Sequence, residues 1–251
     1  MSVLPRKALG QHFLVDVNVL RVIERLAELS RDDVVLEVGP GLGALTRFLA
    51  ERVACVHAVE VDRRLEPHLA AIERVQLHWQ DALTLDVAAL APPPRKLVAN
   101  LPYNIATPLV AESLRVDELA LWCVMVQREV ADRFFAQPST KAYGAVSVLV
   151  QLAAERTGFH PVSRNAFRPR PNVDSALVAF RRTAPAASAA VRRVVEAAFA
   201  HRRKTLANSL ALSGLASRER ATAALTQAGK RPTVRAEELV PAEFVALAEA
   251  L

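Results

Sequence analysis

Hydrophobic positions in the first half of the chain switch repeatedly between helical and strand spacing. Residues 16–29 carry Val19, Leu20, Ile23, Leu26 and Ala27 at steps of three and four, which predicts an amphipathic helix. Residues 33–38 form a short β-rich run that ends in glycines, and residues 42–52 return to helical spacing. A second strand is predicted over 54–61, a helical stretch over 63–72 and a third strand over 75–79. Pro92-Pro93-Pro94 marks a loop before a fourth strand over 96–99, and a fifth is predicted over 119–126. Strand and helix patterns that alternate in this way predict βαβ units and a parallel sheet. Residues 175–180 read as a further strand, with 157–162 as its candidate partner. No long helix pattern separates these two, so that edge of the sheet is expected to be antiparallel.

The pattern changes after residue 182. Residues 183–190 are rich in Ala, Pro and Ser and read as a linker, and residues 191–251 show only helical periodicity. The expected organisation is an α/β domain over 1–183 and a small all-α domain over 184–251, with no internal repeat. The chain has 251 residues, of which 52% are hydrophobic and 23% charged. That is enough for one α/β core with an appendage, and it excludes a disordered chain. Thirty-two Lys and Arg against 26 Asp and Glu give a net charge of +6, which favours a polyanionic partner: RNA, DNA or an anionic membrane. Cys55 and Cys123 lie in apolar runs and read as small core residues, and no Cys/His cluster has zinc spacing. Residues 1–7 lack the apolar stretch of a secretion signal, and no apolar run reaches about 18 residues, so a cytoplasmic protein is expected.

Candidate chemistry gathers at the strand ends. Glu37-Val38-Gly39-Pro40-Gly41-Leu42-Gly43 follows a strand and opens a helix, where glycines let backbone pass close to a nucleotide-type cofactor. Glu60 ends the second strand, 21 residues after Gly39, and suits two ribose hydroxyls. Asp81 follows the third strand and suits an adenine amine. Each acid alone reads as a solvated strand end; three strand ends delivering such groups to one edge point to a cofactor. NAD and S-adenosylmethionine both fit this far, although the turn is not a full G-x-G-x-x-G.

The fourth strand ends in Asn100-Leu101-Pro102-Tyr103. An aromatic amine is a poor nucleophile because its lone pair is delocalised into the ring. The Asn100 side-chain carbonyl and the Leu101 backbone carbonyl can hold its two hydrogens and aim the nitrogen at a methyl donor. Pro102 stiffens the turn, and Tyr103 offers a ring for a base to stack on. Such an in-line displacement depends on positioning and needs neither strong base nor metal. The competing reading is a plain Asn-Pro turn.

In this order of motifs the chain resembles the bacterial small-subunit rRNA adenine dimethyltransferases of the kasugamycin-sensitivity type. The motifs are Leu9-Gly10-Gln11-His12-Phe13-Leu14, the Glu37–Gly43 turn, Val59-Glu60-Val61-Asp62, Asp81-Ala82 and Asn100 through Pro108. They continue with Gln127-Arg128-Glu129-Val130, Lys141-Ala142-Tyr143-Gly144, Phe167 through Ser175 and Arg202 through Leu210. The resemblance implies a Rossmann-like, S-adenosylmethionine-dependent methyltransferase with a mostly parallel seven-stranded sheet and a C-terminal helical domain. It implies dimethylation of two adjacent adenosines in the 3′-terminal hairpin of 16S rRNA, within an immature small ribosomal subunit. It places His12, Leu14, Gly39, Gly41, Glu60, Asp81 and Asn100 around the cofactor, and makes Phe167 a second aromatic wall for the target base. His12 stands where the family usually has Asn, and Asn172 where Lys is common.

Arg6, Lys7, Lys141, Arg164, Arg168 and Arg170 fall in loop-like segments, and Arg202, Arg203 and Lys204 cluster in the helical region. These are the candidate RNA contacts, whose binding should weaken with salt; for the last cluster a solvated helix face is the alternative. A monomer is expected. Three other functions stay open on the residues alone. They are a large-subunit rRNA methyltransferase conferring macrolide resistance, a non-catalytic RNA-binding or assembly factor, and a DNA or protein amide methyltransferase.

Overall fold

The β-branched runs become the strands of one sheet. In a computed structural model, which describes Arg6 and residues 11–251, β2 (Val34–Val38), β3 (Cys55–Glu60), β4 (Val75–Trp79), β5 (Lys96–Asn100) and β6 (Leu121–Gln127) pair in parallel. Two later strands complete the sheet. β9 (Ser175–Arg182) runs antiparallel to β6 with Met125 opposite Leu177, and β7 (Ala154–Val162) lies beyond it. The order is β4-β3-β2-β5-β6-β9-β7. A separate two-stranded sheet pairs β1 (Phe13–Leu14) with β8 (Phe167–Arg168) in antiparallel register. The central strands are buried on both faces, as β6 shows from Leu121 to Val126, which is why they read as continuous apolar runs. Cys55 and Cys123 are buried and free.

The helices between the strands are short. α1 (Val17–Leu26) begins at Asp16, whose side chain accepts from the Asn18 amide, and buries Val19, Leu20 and Ile23. α2 is Ala44–Ala50 and α4 is Ala106–Ser113. Residues 63–72 are not one helix. A 3₁₀ turn over Arg63–Leu65 leads into the single turn α3 (Glu66–Leu69), because Pro67 lacks the N–H that a continuous helix would need.

Chain contacts divide the molecule into two compact units. The first comprises Met1–Ala131 and Glu155–Thr183 and contains the sheet's parallel strands. The second comprises Asp132–Ala154 and Ala184–Leu251. The expected 1–183 domain is therefore interrupted: residues 132–154, with α6 (Ala145–Ala153), group with the C-terminal helices. The cause is α6 itself, which buries Val146, Val148, Leu149 and Val150 and packs against α7 (Ala189–Ala200) and α10 (Pro241–Ala250). α5 (Arg128–Phe134) spans the join, and α8 (Leu206–Leu212) and α9 (Arg218–Gln227) complete the second unit. In that unit the Tyr143 hydroxyl donates to the Leu239 carbonyl at 2.8 Å, and Phe199 stacks on Phe244. No helix among the described residues is long and apolar enough to cross a membrane.

Candidate active site

Parallel strands deliver their C-terminal ends to one edge, and there the first unit holds a cavity of about 210 Å³. Its wall begins at the glycine turn after β2. Gly39 and Gly41 hold φ of +73° and +58°, the left-handed region that glycine adopts without strain. A Cβ on Gly41 would lie 2.9 Å from Phe13 Cδ1, and one on Gly39 would lie 3.2 Å from the Pro102 ring. The turn is thus bare because β1 and the loop after β5 press on it.

Glu60 lines the cavity from the end of β3. Its Oε1 accepts from the amides of Val61 and Asp62, both at 2.9 Å, and its Oε2 accepts from the Gly41 amide at 3.3 Å. Both lone pairs of Oε1 are then used, and one remains on Oε2. A bidentate grip on two hydroxyls, as the sequence suggested, is reduced to one oxygen. Burial pushes the Glu60 carboxyl above its ordinary range, against the pull of the three amides. Behind it, Asp62 is held down to about 2, first by the Arg64 guanidinium and also by Gln11 Nε2 at 3.2 Å. Asp81 lines the cavity beyond β4; its Oδ1 accepts from the Leu83 amide at 2.9 Å, forming an Asx turn.

At the end of β5, Asn100 Nδ2 donates to the His12 carbonyl at 3.0 Å. A carbonyl only accepts, so this bond fixes which way the amide faces and leaves Oδ1 as an acceptor. Among the described residues nothing donates to Asn100 Oδ1 or to the Leu101 carbonyl, and both residues line the cavity. The Tyr103 hydroxyl is bonded to Ser175 Oγ at 2.6 Å, and burial raises its pKa. Its ring stands 5.4 Å from that of His12. His12 in turn is held by Nδ1, which donates to the Pro169 carbonyl at 2.8 Å, so the proton sits on Nδ1.

Gly39, Gly41, Glu60, Asp81, Asn100, Leu101, Pro102, Tyr103, His12 and Leu14 all line this cavity. Phe167 does not. Its register partner is Leu14, the two side chains share the core-facing side of the β1–β8 pair, and Phe167 is fully buried. Phe13 lines the cavity beside Leu14 and is the aromatic ring that β1 supplies there. Glu37 escaped assignment. It lines the cavity from inside β2, is 1% exposed, and burial drives its carboxyl up to about 8, with Glu60 adding to the rise. The Thr46 hydroxyl lies near enough to oppose this in part, but neither Glu37 Oε2 nor Thr46 Oγ1 reaches a partner at hydrogen-bond distance. An acid inside the apolar run Val34–Val38 was the signal that could have flagged it.

The basic residues separate into two kinds. Arg6, Arg168 and Arg170 in the first unit, and Lys141, Arg203 and Lys204 in the second, are exposed. Arg202 is also exposed, but its guanidinium donates to the carbonyls of Lys141 and Tyr143, which makes it a brace within the second unit. Arg164 is paired with Asp174 at 3.0 Å. Lys7 lies outside the described residues. No metal-holding cluster of three His, Cys, Asp or Glu occurs among the described residues.

Comparison with known proteins follows the same lines. A family model described as "Ribosomal RNA adenine dimethylase" matches residues 4–251. The chain is 50% identical over 250 residues to "Ribosomal RNA small subunit methyltransferase A" of Rubrobacter xylanophilus, covering 97% of this chain and 94% of that one. It is 46% identical to the protein of the same name from Streptomyces griseus, covering 99% and 90%. Among solved structures, a dimethyladenosine transferase from Plasmodium falciparum superposes with a TM-score of 0.74 at 21% identity, covering 94% of this chain and 96% of that one; it shares the fold. The 23S rRNA methyltransferase ErmE superposes with a TM-score of 0.62 at 31% identity, covering 95% and 99%.

Proposed function

The chain belongs to the ribosomal RNA adenine dimethylase family, and from that premise we propose that it methylates the exocyclic amines of two adjacent adenosines in the 3′-terminal hairpin of 16S rRNA, within an immature small subunit. The enzyme is an rRNA adenine dimethyltransferase. Small-subunit enzymes at 50% and 46% identity favour 16S over 23S rRNA as the substrate.

One observation carries the reading. Asn100 Oδ1 and the Leu101 carbonyl, which take no donor among the described residues, belong to consecutive residues that line the cavity together with Glu60 and Asp81.

The fold and family imply S-adenosylmethionine, and the lining suits it. The glycine turn brings backbone to the cavity wall, and the free lone pair of Glu60 Oε2 suits a ribose hydroxyl. Asp81 suits an adenine amine, and the unpartnered Glu37 Oε2 suits a cationic head. When bound, this cofactor supplies an electrophilic methyl group on a sulfonium. Asn100 Oδ1 and the Leu101 carbonyl accept the two N–H bonds of the adenine amine and draw its lone pair out of the ring. Tyr103, held through Ser175, offers a fixed face for the base to stack on. Neither oxygen is a strong base, so the proton that the amine sheds passes on to solvent. Because the oxygens are fixed before the base arrives, their help is greatest where positive charge develops on nitrogen.

The test is methyl incorporation into small-subunit particles from a strain lacking the modification, mapped by primer extension across the 3′ hairpin. Asn100→Ala is expected to lower the rate by about 10²–10³-fold, the usual loss for one preorganised polar group, while much of the particle binding persists. Transfer at a near-normal rate would remove Asn100 from the mechanism. No transfer to these particles by the intact, cofactor-binding chain would remove the substrate assignment. The likeness to ErmE supports a second reading, action on 23S rRNA; macrolide resistance in a strain expressing the chain would favour it.

A further inference from the structure

The opposite edge of the same sheet carries a second cavity, of about 490 Å³. The cofactor residues follow β2, β3 and β4, whereas this cavity is built from residues that precede them. Arg31 stands before β2, Glu51 before β3, and Glu73 and Arg74 directly before β4; Arg47 reaches in from α2. The floor is apolar, formed by Ala50 and the half-buried Ile72.

Main-chain carbonyls set the three guanidinium groups. Arg31 Nη1 donates to the Glu51 carbonyl at 2.8 Å. Arg47 donates to the carbonyls of Leu42 and His68, each at 2.8 Å. Arg74 Nη1 donates to the Ala50 carbonyl at 3.5 Å. Carbonyls orient a guanidinium without neutralising it, and each group keeps further N–H donors. None of the three forms an ion pair with a carboxylate among the described residues, and all three are exposed. Of the two acids in the lining, Glu51 is committed to Arg52 at 3.1 Å, which leaves Glu73 as the opposing charge.

We propose that this cavity is a second RNA contact, in which Arg31 and Arg74 hold phosphodiester groups of the substrate at a point remote from the adenosine being methylated, while Arg47, tied to the Leu42 and His68 carbonyls, lines its wall. Planar guanidinium groups set by carbonyls match phosphate oxygens bidentately. The choice of RNA rests on the proposed substrate; the preference for a phosphate-bearing polyanion rests on the cavity alone. A substrate that reaches both edges of the sheet must be larger than a hairpin loop, as small-subunit rRNA is, free or assembled.

The test is binding of unmodified small-subunit particles across a salt series, using the full chain. The Arg31→Gln/Arg74→Gln variant is expected to bind about tenfold more weakly at moderate salt. Its log–log salt slope should fall by about two, one per lost phosphate contact. Methyl transfer at saturating particle and cofactor affinity should be unchanged, which separates this contact from the catalytic reading. Glu73→Gln removes the opposing charge and is expected to bind severalfold more tightly, an effect that misfolding cannot produce. Protein-free rRNA and inorganic phosphate complete the experiment. Loss of affinity for particles but not for protein-free rRNA would assign the site to an acidic protein surface and overturn the proposal. So would an unchanged salt slope in both variants, or arginine-dependent capture of inorganic phosphate with particle binding intact.

Discussion

Glu37 has the most perturbed carboxyl of the cavity at the strand ends, held near 8 mainly by burial. In the range from 4.5 to about 8 the folded chain keeps a proton there that the unfolded chain has released. Its contribution to stability is therefore full below the unfolded value and declines as pH rises through the folded one. Glu37→Gln, which cannot ionise, should melt with a flatter pH profile and gain on the parent chain at alkaline pH; parallel melting curves across that range would refute the assignment. A cationic cofactor beside Glu37 should also lower its pKa and expel the proton. Calorimetric titration near neutral pH, in buffers of different ionisation enthalpy, should then show net proton release that Glu37→Gln lacks. The candidate corner was legible at this scale because Asn100–Tyr103 is a four-residue turn whose parts are held together locally, and all four residues line the cavity. Phe167 was not. Whether its ring faces cavity or core depends on its pairing with Leu14, more than 150 residues away, and two-residue strands carry no periodicity from which to read a face.

At the scale of elements, β2, β3, β5, β6 and β9 were legible as largely apolar runs, and the βαβ order follows from their spacing. Helices α4 and α6 were not. Apolar residues surround α6 on most sides, so it lacks the one-sided stripe that marks a surface helix. β7 shows a contact that only the folded chain reveals. Gly158 lies under Leu26 of α1, and a Cβ there would sit 2.5 Å from Leu26 Cδ2. Gly158→Ala should therefore cost up to about 1 kcal/mol, the low end of overpacking, because the end of the half-buried Leu26 side chain must turn aside. Shortening the neighbour in the double variant Gly158→Ala/Leu26→Ala should recover part of that, leaving a favourable coupling in a double-mutant cycle. Strict additivity in chemical denaturation would show that the helix yields instead, and that the glycine answers to some other need.

For the whole molecule, periodicity located the helical region but could not reveal that its unit is discontinuous. A linear reading places boundaries where composition changes, and composition does change near residue 183. Nothing in the local pattern of residues 132–154 marks them as partners of a segment that begins some 30 residues later. The consequence is testable. Ending the chain at Thr183 keeps α6 and removes α7 and α10, the helices it packs against. Val146, Val148, Leu149 and Val150 would then lose their cover, an apolar surface of the kind that drives association. The shortened chain should bind a hydrophobic dye such as ANS and sediment as aggregates. A second version that also replaces residues 132–154 with a short polar linker should bind less dye and stay monodisperse. If the chain ending at Thr183 is itself monodisperse and dye-silent, α6 belongs with the sheet, and the division into these two units is wrong.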